Sequence, residues 1–381
     1  MPKKLSQTNY LKIICLIIAT LLTIKAYITP FTYDEAYSYL SYVRTNDLLT
    51  VNIANNHLLN TILMGIFSIF GNSEFILRLP NLLSGFIYIY IGYRISTKLN
   101  NSLLILIFIL LNPTVFDFLS LARGYGISAT LNLLGIYIFL FSDVKQKYFF
   151  SLTFFWLSSL AIYTNLITLF SFIFLNFIIE KRVFLNLKTT LINIIYISLS
   201  VPIAFKLFEI TQTSKPLFGR NINIDTVERV YTFFGFLKTY FISSHLLNII
   251  FLFIFLFVIK NVEQSLNSKF VISLFIVILL CLILVPLIFN RPLPVERLLI
   301  PFIPFFQISV CFVFTNIKNK LVISLLSFVL ILNFSINLDL NTSIYWDDFI
   351  DTNQISNSIY CETLDSTRPE YIYYKESRGY C

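Results

Sequence analysis

Two adjacent carboxylates stand in the run Thr32-Tyr33-Asp34-Glu35-Ala36-Tyr37, just after an apolar stretch from Leu11 to Ile28. One such carboxylate can take a proton from a hydroxyl nucleophile while the other orients it or positions the substrate. The competing reading is that both are cap and first-turn charges of a helix starting near Asp34, where the helix dipole favours acids. One of the two histidines follows in Asn55-Asn56-His57-Leu58, flanked by amides that suit hydroxyl-rich ligands. Four arginines recur later: Arg78 before Leu79-Pro80, Arg123 in Ala122-Arg123-Gly124-Tyr125, and Arg291 and Arg297 around Pro292-Leu293-Pro294-Val295-Glu296. Guanidinium forks match phosphate and carboxylate through two parallel hydrogen bonds, so these positions point to an anionic ligand. Snorkelling, or pairing with Glu74, Glu228 and Glu296, is the alternative for each.

The elements that must position these residues are apolar helices. Of the 381 residues 57% are hydrophobic and 13% charged, with mean hydropathy +0.78, whereas soluble domains carry about 25% charged residues. Apolar runs recur at 11–28, 79–97, 102–118, 124–141, 148–163, 166–179, 189–208, 246–260, 270–290, 298–317 and 321–338, which predicts a polytopic all-α membrane protein of about eleven spans. The first run is longer than the apolar region of a signal peptide and lacks a small-residue cleavage site, so it reads as a retained span. Residues 57–71 are apolar but short, and read as a juxtamembrane helix. With the N-terminus inside, the connectors on that side hold Lys3, Lys4, Arg94, Lys98, Lys145, Lys147, Lys181, Arg182, Lys188, Lys260, Lys269, Lys318 and Lys320. That agrees with the bias of basic residues to the cytoplasmic side. The acidic pair, His57 and the four arginines then share the opposite face, the first two clusters within an external loop at 30–78.

Residues 1–338 read as one transmembrane domain and 339–381 as a small acidic tail on the external side. Cys361 and Cys381 share that oxidising side and are candidates for a disulfide; Cys15, Cys281 and Cys311 fall within spans. The formal charge of +8 is largely cytoplasmic lysine, so nucleic acid is not an expected partner. No zinc-type spacing, P-loop, dinucleotide fingerprint or repeat is present.

Taken together, Tyr-Asp-Glu-Ala after the first span, Asn-Asn-His-Leu, Phe-Gly-Asn-Ser-Glu with Arg-Leu-Pro, and Ala-Arg-Gly-Tyr resemble, in order and spacing, the lipid-linked-sugar glycosyltransferases of the GT-C fold. The likeness is to the bacterial family 39-like group of protein mannosyltransferases and lipid A aminoarabinose and galacturonic acid transferases. It runs from Tyr33 to about Tyr125 and weakly from Glu296 to Pro304. The resemblance implies an inverting transfer of sugar from a polyprenyl-phosphate donor to a glycolipid, glycan or protein acceptor, on the outer face of a bacterial inner (plasma) membrane. Carried over, Asp34 is the expected base and Glu35 its assistant. Arg123 and Arg297, with Arg291, are expected at the donor phosphate; Tyr33, Asn56 and His57 at the sugar or acceptor; Arg78 serves structure as often as function. The chain departs from the family at Leu58 and Leu59, where prolines are common, and at Leu298, where an aromatic is common.

The chemistry is coherent on physical grounds. An isoprenoid tail confines the donor phosphate to the interface, where arginines offset the charge of the departing group. No cofactor is expected, the lipid-linked sugar being a substrate, and two carboxylates alone make a poor set of metal ligands. Two other functions use many spans and external arginines: a flippase or transporter of lipid-linked glycans, which would place charges along a pathway inside its spans, and an O-antigen ligase or polymerase, which would carry its key residues in a large late loop.

Overall fold

The computed structural model describes residues 2–50, 56–179, 187–213, 266–288, 296–341 and Tyr373, and every regular element among them is helical. The helices are α1 (Pro2–Ile28), α2 (Tyr33–Ser38), α3 (Leu58–Ser68), α4 (Glu74–Lys98), α5 (Ser102–Leu110), α6 (Pro113–Ser120), α7 (Gly124–Phe141), α8 (Lys147–Ala161), α9 (Leu166–Ile179), α10 (Leu187–Thr213), α11 (Leu266–Ile288), α12 (Ile303–Phe314) and α13 (Lys320–Asn337). A π-helical turn, Tyr39–Val43, extends α2, and 3-10 segments at Tyr163–Asn165 and Glu296–Phe302 lead into α9 and α12.

Seven of the described helical stretches are long and apolar enough to cross a membrane, and an eighth appears if α5 and α6, bent by 54° at their junction, count as one span. The described residues are all helical where regular, and they make this a helical membrane protein. The expected runs at 148–163 and 166–179 appear as α8 and α9, of 15 and 14 residues; the run at 246–260 lies outside the described residues. Within residues 57–71 lies the short helix α3, whose 11 residues rise only about 16 Å, too little for a hydrocarbon core of about 30 Å.

The break between α5 and α6, inside what reads as one run in the sequence, has a local cause. Pro113 disfavours helical geometry at Asn112 and lacks an N–H. Asn112 instead caps α6, its Oδ1 accepting from the Val115 amide at 3.0 Å. The carbonyls freed at the end of α5 are met from another helix, since Gln307 Nε2 donates to Phe108 O and Ile109 O at 3.2 and 3.0 Å and Gln307 Oε1 accepts from Tyr88 OH at 2.6 Å. Gln307→Leu keeps the bulk but strips two carbonyls and a hydroxyl of partners in a dry interior. It is expected to lose about 1–3 kcal/mol per orphaned group, read as a lower thermal midpoint in detergent; an unchanged midpoint would show that the break holds itself.

The core lies where α4, α5, α7, α8 and α12 meet, with every residue of Leu104–Leu110 buried. Small residues allow close approach there, as is usual between membrane helices: a Cβ on Gly126 would stand 2.4 Å from the Phe118 carbonyl oxygen. A polar ladder crosses this interior, with Asn165 donating to Ser128 Oγ at 2.7 Å and Asn132 to Pro301 O at 2.7 Å, tying α7 to the segments that begin α9 and α12.

Opposite helix ends gather into two layers. At one, Lys98 bonds the Phe141 carbonyl, and Asn101 donates to Phe314 O and Ile317 O at 2.7 and 3.0 Å. At the other, the C-terminal ends of α1, α6 and α13 are fastened together. Lys25 and Asp117, both almost wholly buried, pair at 3.1 Å, Lys25 bonds the Asp339 carbonyl, and Thr29 Oγ1 donates to Leu340 O at 3.0 Å. This second layer carries the acidic pair.

Candidate functional site

Helix α2 begins with a capping box: Thr32 Oγ1 accepts from the Glu35 amide at 3.4 Å, and Glu35 Oε2 accepts from the Thr32 amide at 2.9 Å. The capping reading of the acidic pair therefore holds for Glu35, and its carboxylate does more. Arg78 grips it with Nε on Oε1 at 2.8 Å and Nη2 on Oε2 at 2.6 Å, and the Ala122 amide donates to Oε1 at 2.6 Å. Four donors fill the four acceptor positions of a carboxylate, and both side chains have no solvent exposure. Arg78 also donates to the carbonyls of Ala26 (3.2 Å), Thr29 (2.5 Å) and Pro30 (2.8 Å), the unsatisfied end of α1, and lies over the Phe31 ring at 5.5 Å. Glu35 and Arg78 thus join the end of α1, the start of α2, α4 and the turn before α7.

Asp34, one residue earlier on α2, meets different partners. Its Oδ2 is where two guanidiniums converge: Arg123 Nη2 at 3.4 Å, and Arg297 Nη1 in direct contact. Arg123, the N-cap residue of α7, also donates to Asp34 O at 3.1 Å and Ser38 Oγ at 3.0 Å, and its guanidinium lies 6.0 Å from the Tyr125 ring centre. Arg123 has no exposed surface, whereas the Arg297 side chain keeps 16% of its own. Arg297 is therefore the more exposed of the two cations on Asp34. Asp34, Arg123 and Arg297 thus form one charged cluster in which two guanidiniums share a carboxylate oxygen.

His57 precedes α3 and is buried, its ring edge-on to Tyr125 at 4.8 Å. Burial, then the charges of Arg123 and Arg297, hold its pKa well below the usual 6.5, against a hydrogen bond to the Ala161 carbonyl that pulls it up. Its Nε2 has no hydrogen-bond partner among the described residues. Gly124 makes this geometry possible, since a Cβ there would lie 2.4 Å from Ala161 O and 2.8 Å from His57 Cβ. Gly124→Ala must push backbone aside and is expected to cost about 1–3 kcal/mol through overpacking. Gly85→Ala, which meets only a movable methyl of Leu22 at 2.5 Å, is expected to cost less. Equal shifts in thermal midpoint for the two variants would sink that account.

The structure brings together Asp34, Glu35, Arg78, Arg123, Arg297 and His57 from five chain segments. Asn56 links the preceding loop to α3, Nδ2 donating to Thr50 O at 2.5 Å and Oδ1 accepting from Thr61 Oγ1 at 2.7 Å. Tyr33 is exposed and stacks on Tyr37 at 6.5 Å. Arg291, Cys361 and Cys381 lie outside the described residues.

Sequence reading overlooked several parts of the site. Ser38, four residues after Asp34 and so on the same helix face, shares Arg123 with it. Asn60 Nδ2 holds the Ala122 carbonyl at 2.9 Å and is itself held through Oδ1 by Asn81 Nδ2 at 2.7 Å; amides inside apolar runs were the available signal. Lys25 and Asp117 carried a similar signal, as ionisable groups within apolar runs. Tyr373 had none: its ring packs on Phe31 at 4.6 Å and Tyr39 at 5.6 Å, and its hydroxyl donates to Asn72 O at 2.8 Å. Comparison with protein-family models, curated proteins and solved structures finds no match to the chain.

Proposed function

We propose that the chain is a membrane glycosyltransferase of the GT-C type, moving a sugar from a polyprenyl-phosphate donor to a glycolipid, glycan or protein acceptor at the extracytoplasmic face. The observation that carries this reading is the meeting, at one carboxylate oxygen of Asp34, of guanidiniums from the start of α7 and from the segment Glu296–Phe302. Few functions need a carboxylate and two guanidiniums at one point of a membrane bundle. Displacement of a phosphate by a hydroxyl needs both. The acceptor oxygen attacks the anomeric carbon and its proton passes to Asp34. The carbon–oxygen bond to the phosphate breaks with inversion, and the electron pair leaves with the phosphate, whose added charge falls on Arg297 and Arg123. Glu35 and Arg78 act as positioning residues, and the motif resemblance supports the same assignment of the acidic pair. The basic residues at the opposite end of the bundle support an orientation with the N-terminus in the cytoplasm.

The test is transfer by the purified chain in lipid nanodiscs, using a panel of radiolabelled polyprenyl-phosphate hexoses and pentoses with cell-envelope glycolipids as acceptors. Label appearing in the acceptor supports the proposal. Donor that instead reorients across vesicles with no label transferred would replace it with lipid-linked-glycan transport.

A further inference from the structure

We infer that Asn132 is a positioning residue for the charged cluster, its side-chain amide setting Arg297 against Asp34 by holding the Pro301 carbonyl to the helix that also carries Arg123. The placement of the segment stands on hydrogen bonds alone; its effect on turnover rests on the proposed sugar transfer.

The need for Asn132 begins in the sequence. The run Glu296-Arg297-Leu298-Leu299-Ile300-Pro301-Phe302-Ile303-Pro304 coils as the 3-10 segment Glu296–Phe302 and passes directly into α12. In 3-10 spacing a carbonyl accepts from the N–H three residues on. For Leu298 and Pro301 that residue is itself a proline, Pro301 and Pro304, and offers no N–H. The ladder of α12 does not serve the Pro301 carbonyl, because its first bond is accepted by its N-cap residue, Phe302. Pro301 O therefore falls between two ladders, and a buried carbonyl needs a donor from elsewhere. Asn132 Nδ2 supplies it at 2.7 Å.

The amide that does so is fixed in its turn. Asn132 has no solvent exposure. Its Nδ2 also donates to Asn165 Oδ1 at 3.2 Å, an oxygen that accepts from Thr168 Oγ1 at 3.0 Å as well. Asn165 Nδ2 donates back to Ser128 Oγ, one turn before Asn132 on α7, at 2.7 Å. Arg297 stands about 8 Å along the 3-10 segment from the carbonyl so held, and Arg123 caps the helix that holds it. One helix thus sets both guanidiniums that meet at Asp34 Oδ2. Burial of Leu299, Ile300 and Phe302 keeps the segment in the bundle, but apolar contact has no direction; the hydrogen bond fixes how the segment is turned.

The experiment uses the full chain in nanodiscs with a short-chain polyprenyl-phosphate hexose. Asn132→Leu keeps the bulk and removes the donor, and kcat is expected to fall about 10²-fold, the usual effect of misplacing a reacting group by about 1 Å. Pro304→Ala returns an N–H three residues beyond Pro301, so Asn132→Leu/Pro304→Ala is expected to regain about tenfold of that loss. In an Arg297→Lys chain, Asn132→Leu is expected to cost less than about twofold more, because the guanidinium it acts through is already gone. Hydrogen–deuterium exchange in peptides covering Glu296–Phe302 is expected to quicken about tenfold in Asn132→Leu and to slow again in the pair with Pro304→Ala.

Parent-like turnover in Asn132→Leu overturns the inference, since apolar burial then places Arg297 unaided. So does a loss that Pro304→Ala does not relieve, or one of equal size in the Arg297→Lys chain, either of which makes Asn132 a support of the whole fold. If Asn132→Leu alone yields no folded chain, the pair with Pro304→Ala must, and its failure also counts against the inference. A parent chain that transfers nothing, with exchange that still quickens and slows as stated, counts against the proposed function and leaves the placement of the segment intact.

Discussion

Arg78→Ala is expected to destabilise the folded chain by about 3–5 kcal/mol, because it leaves Glu35 a buried carboxylate without its counter-charge. The loss reaches beyond the pair: the carbonyls of Ala26, Thr29 and Pro30 lose their donors in the same step. Arg78→Lys keeps the charge but cannot reproduce a two-point grip on Glu35 together with three carbonyls, so it is expected to recover only part. Glu35→Ala leaves the guanidinium stranded in turn and is expected to cost a similar amount. Thermal and denaturant unfolding in detergent measure all three. If Arg78→Ala and Glu35→Ala each unfolded like the parent, the pair would not be the joint of α1, α2 and α4. If Glu35→Ala left the fold intact and abolished transfer, Glu35 would be a second acid in the chemistry.

Asp34→Asn is expected to behave in the opposite way, keeping the fold and losing transfer by about 10² to 10⁴-fold, the usual contribution of a general base. The amide fills the same space and still offers an oxygen to Arg123 and Arg297. It no longer carries the charge that receives a proton, so the loss falls in kcat. Asp34→Glu carries the charge but sets it one methylene further into the two guanidiniums, and is expected to retain a fraction of the rate. The readout is initial transfer rate at saturating donor, with yield and thermal midpoint alongside. Wild-type turnover by Asp34→Asn sinks the base assignment, and so does loss of turnover that tracks loss of folded protein.

These two neighbours show what sequence can and cannot decide. The pair Asp34-Glu35 stands out because adjacent acids beside an apolar run need a reason, and the Thr32 cap three residues before Glu35 is legible locally. Which acid is structural is not legible, because the difference lies in partners 43 and 263 residues away along the chain: Arg78 for Glu35 and Arg297 for Asp34. Helical periodicity and apolar length gave most of the helices, including the short α3. The run at 102–118 hid a break that Asn112-Pro113 announces, since a capping residue before a proline is a helix start. The donation by Gln307, 198 residues on, to α5's loose carbonyls is tertiary and has no local signature. Grouping the motifs on one face followed from counting spans, and Arg78, Ala122, Arg123 and Arg297 do meet α2 at one end of the bundle. The bonds of Asn56 to Thr50 O and Thr61 Oγ1 are details that an amide's place beside a histidine does not announce.

The two arginines on Asp34 also differ in when they are made. Arg123 lies 89 residues after Asp34 and Arg297 lies 263 after it, so at a synthesis rate of about 5–20 residues per second Arg297 follows roughly 10–35 s behind Arg123. For that interval Asp34 can meet Arg123 but not Arg297, so the cluster of two guanidiniums on one carboxylate is complete only once the segment Glu296–Phe302 has been made and has docked.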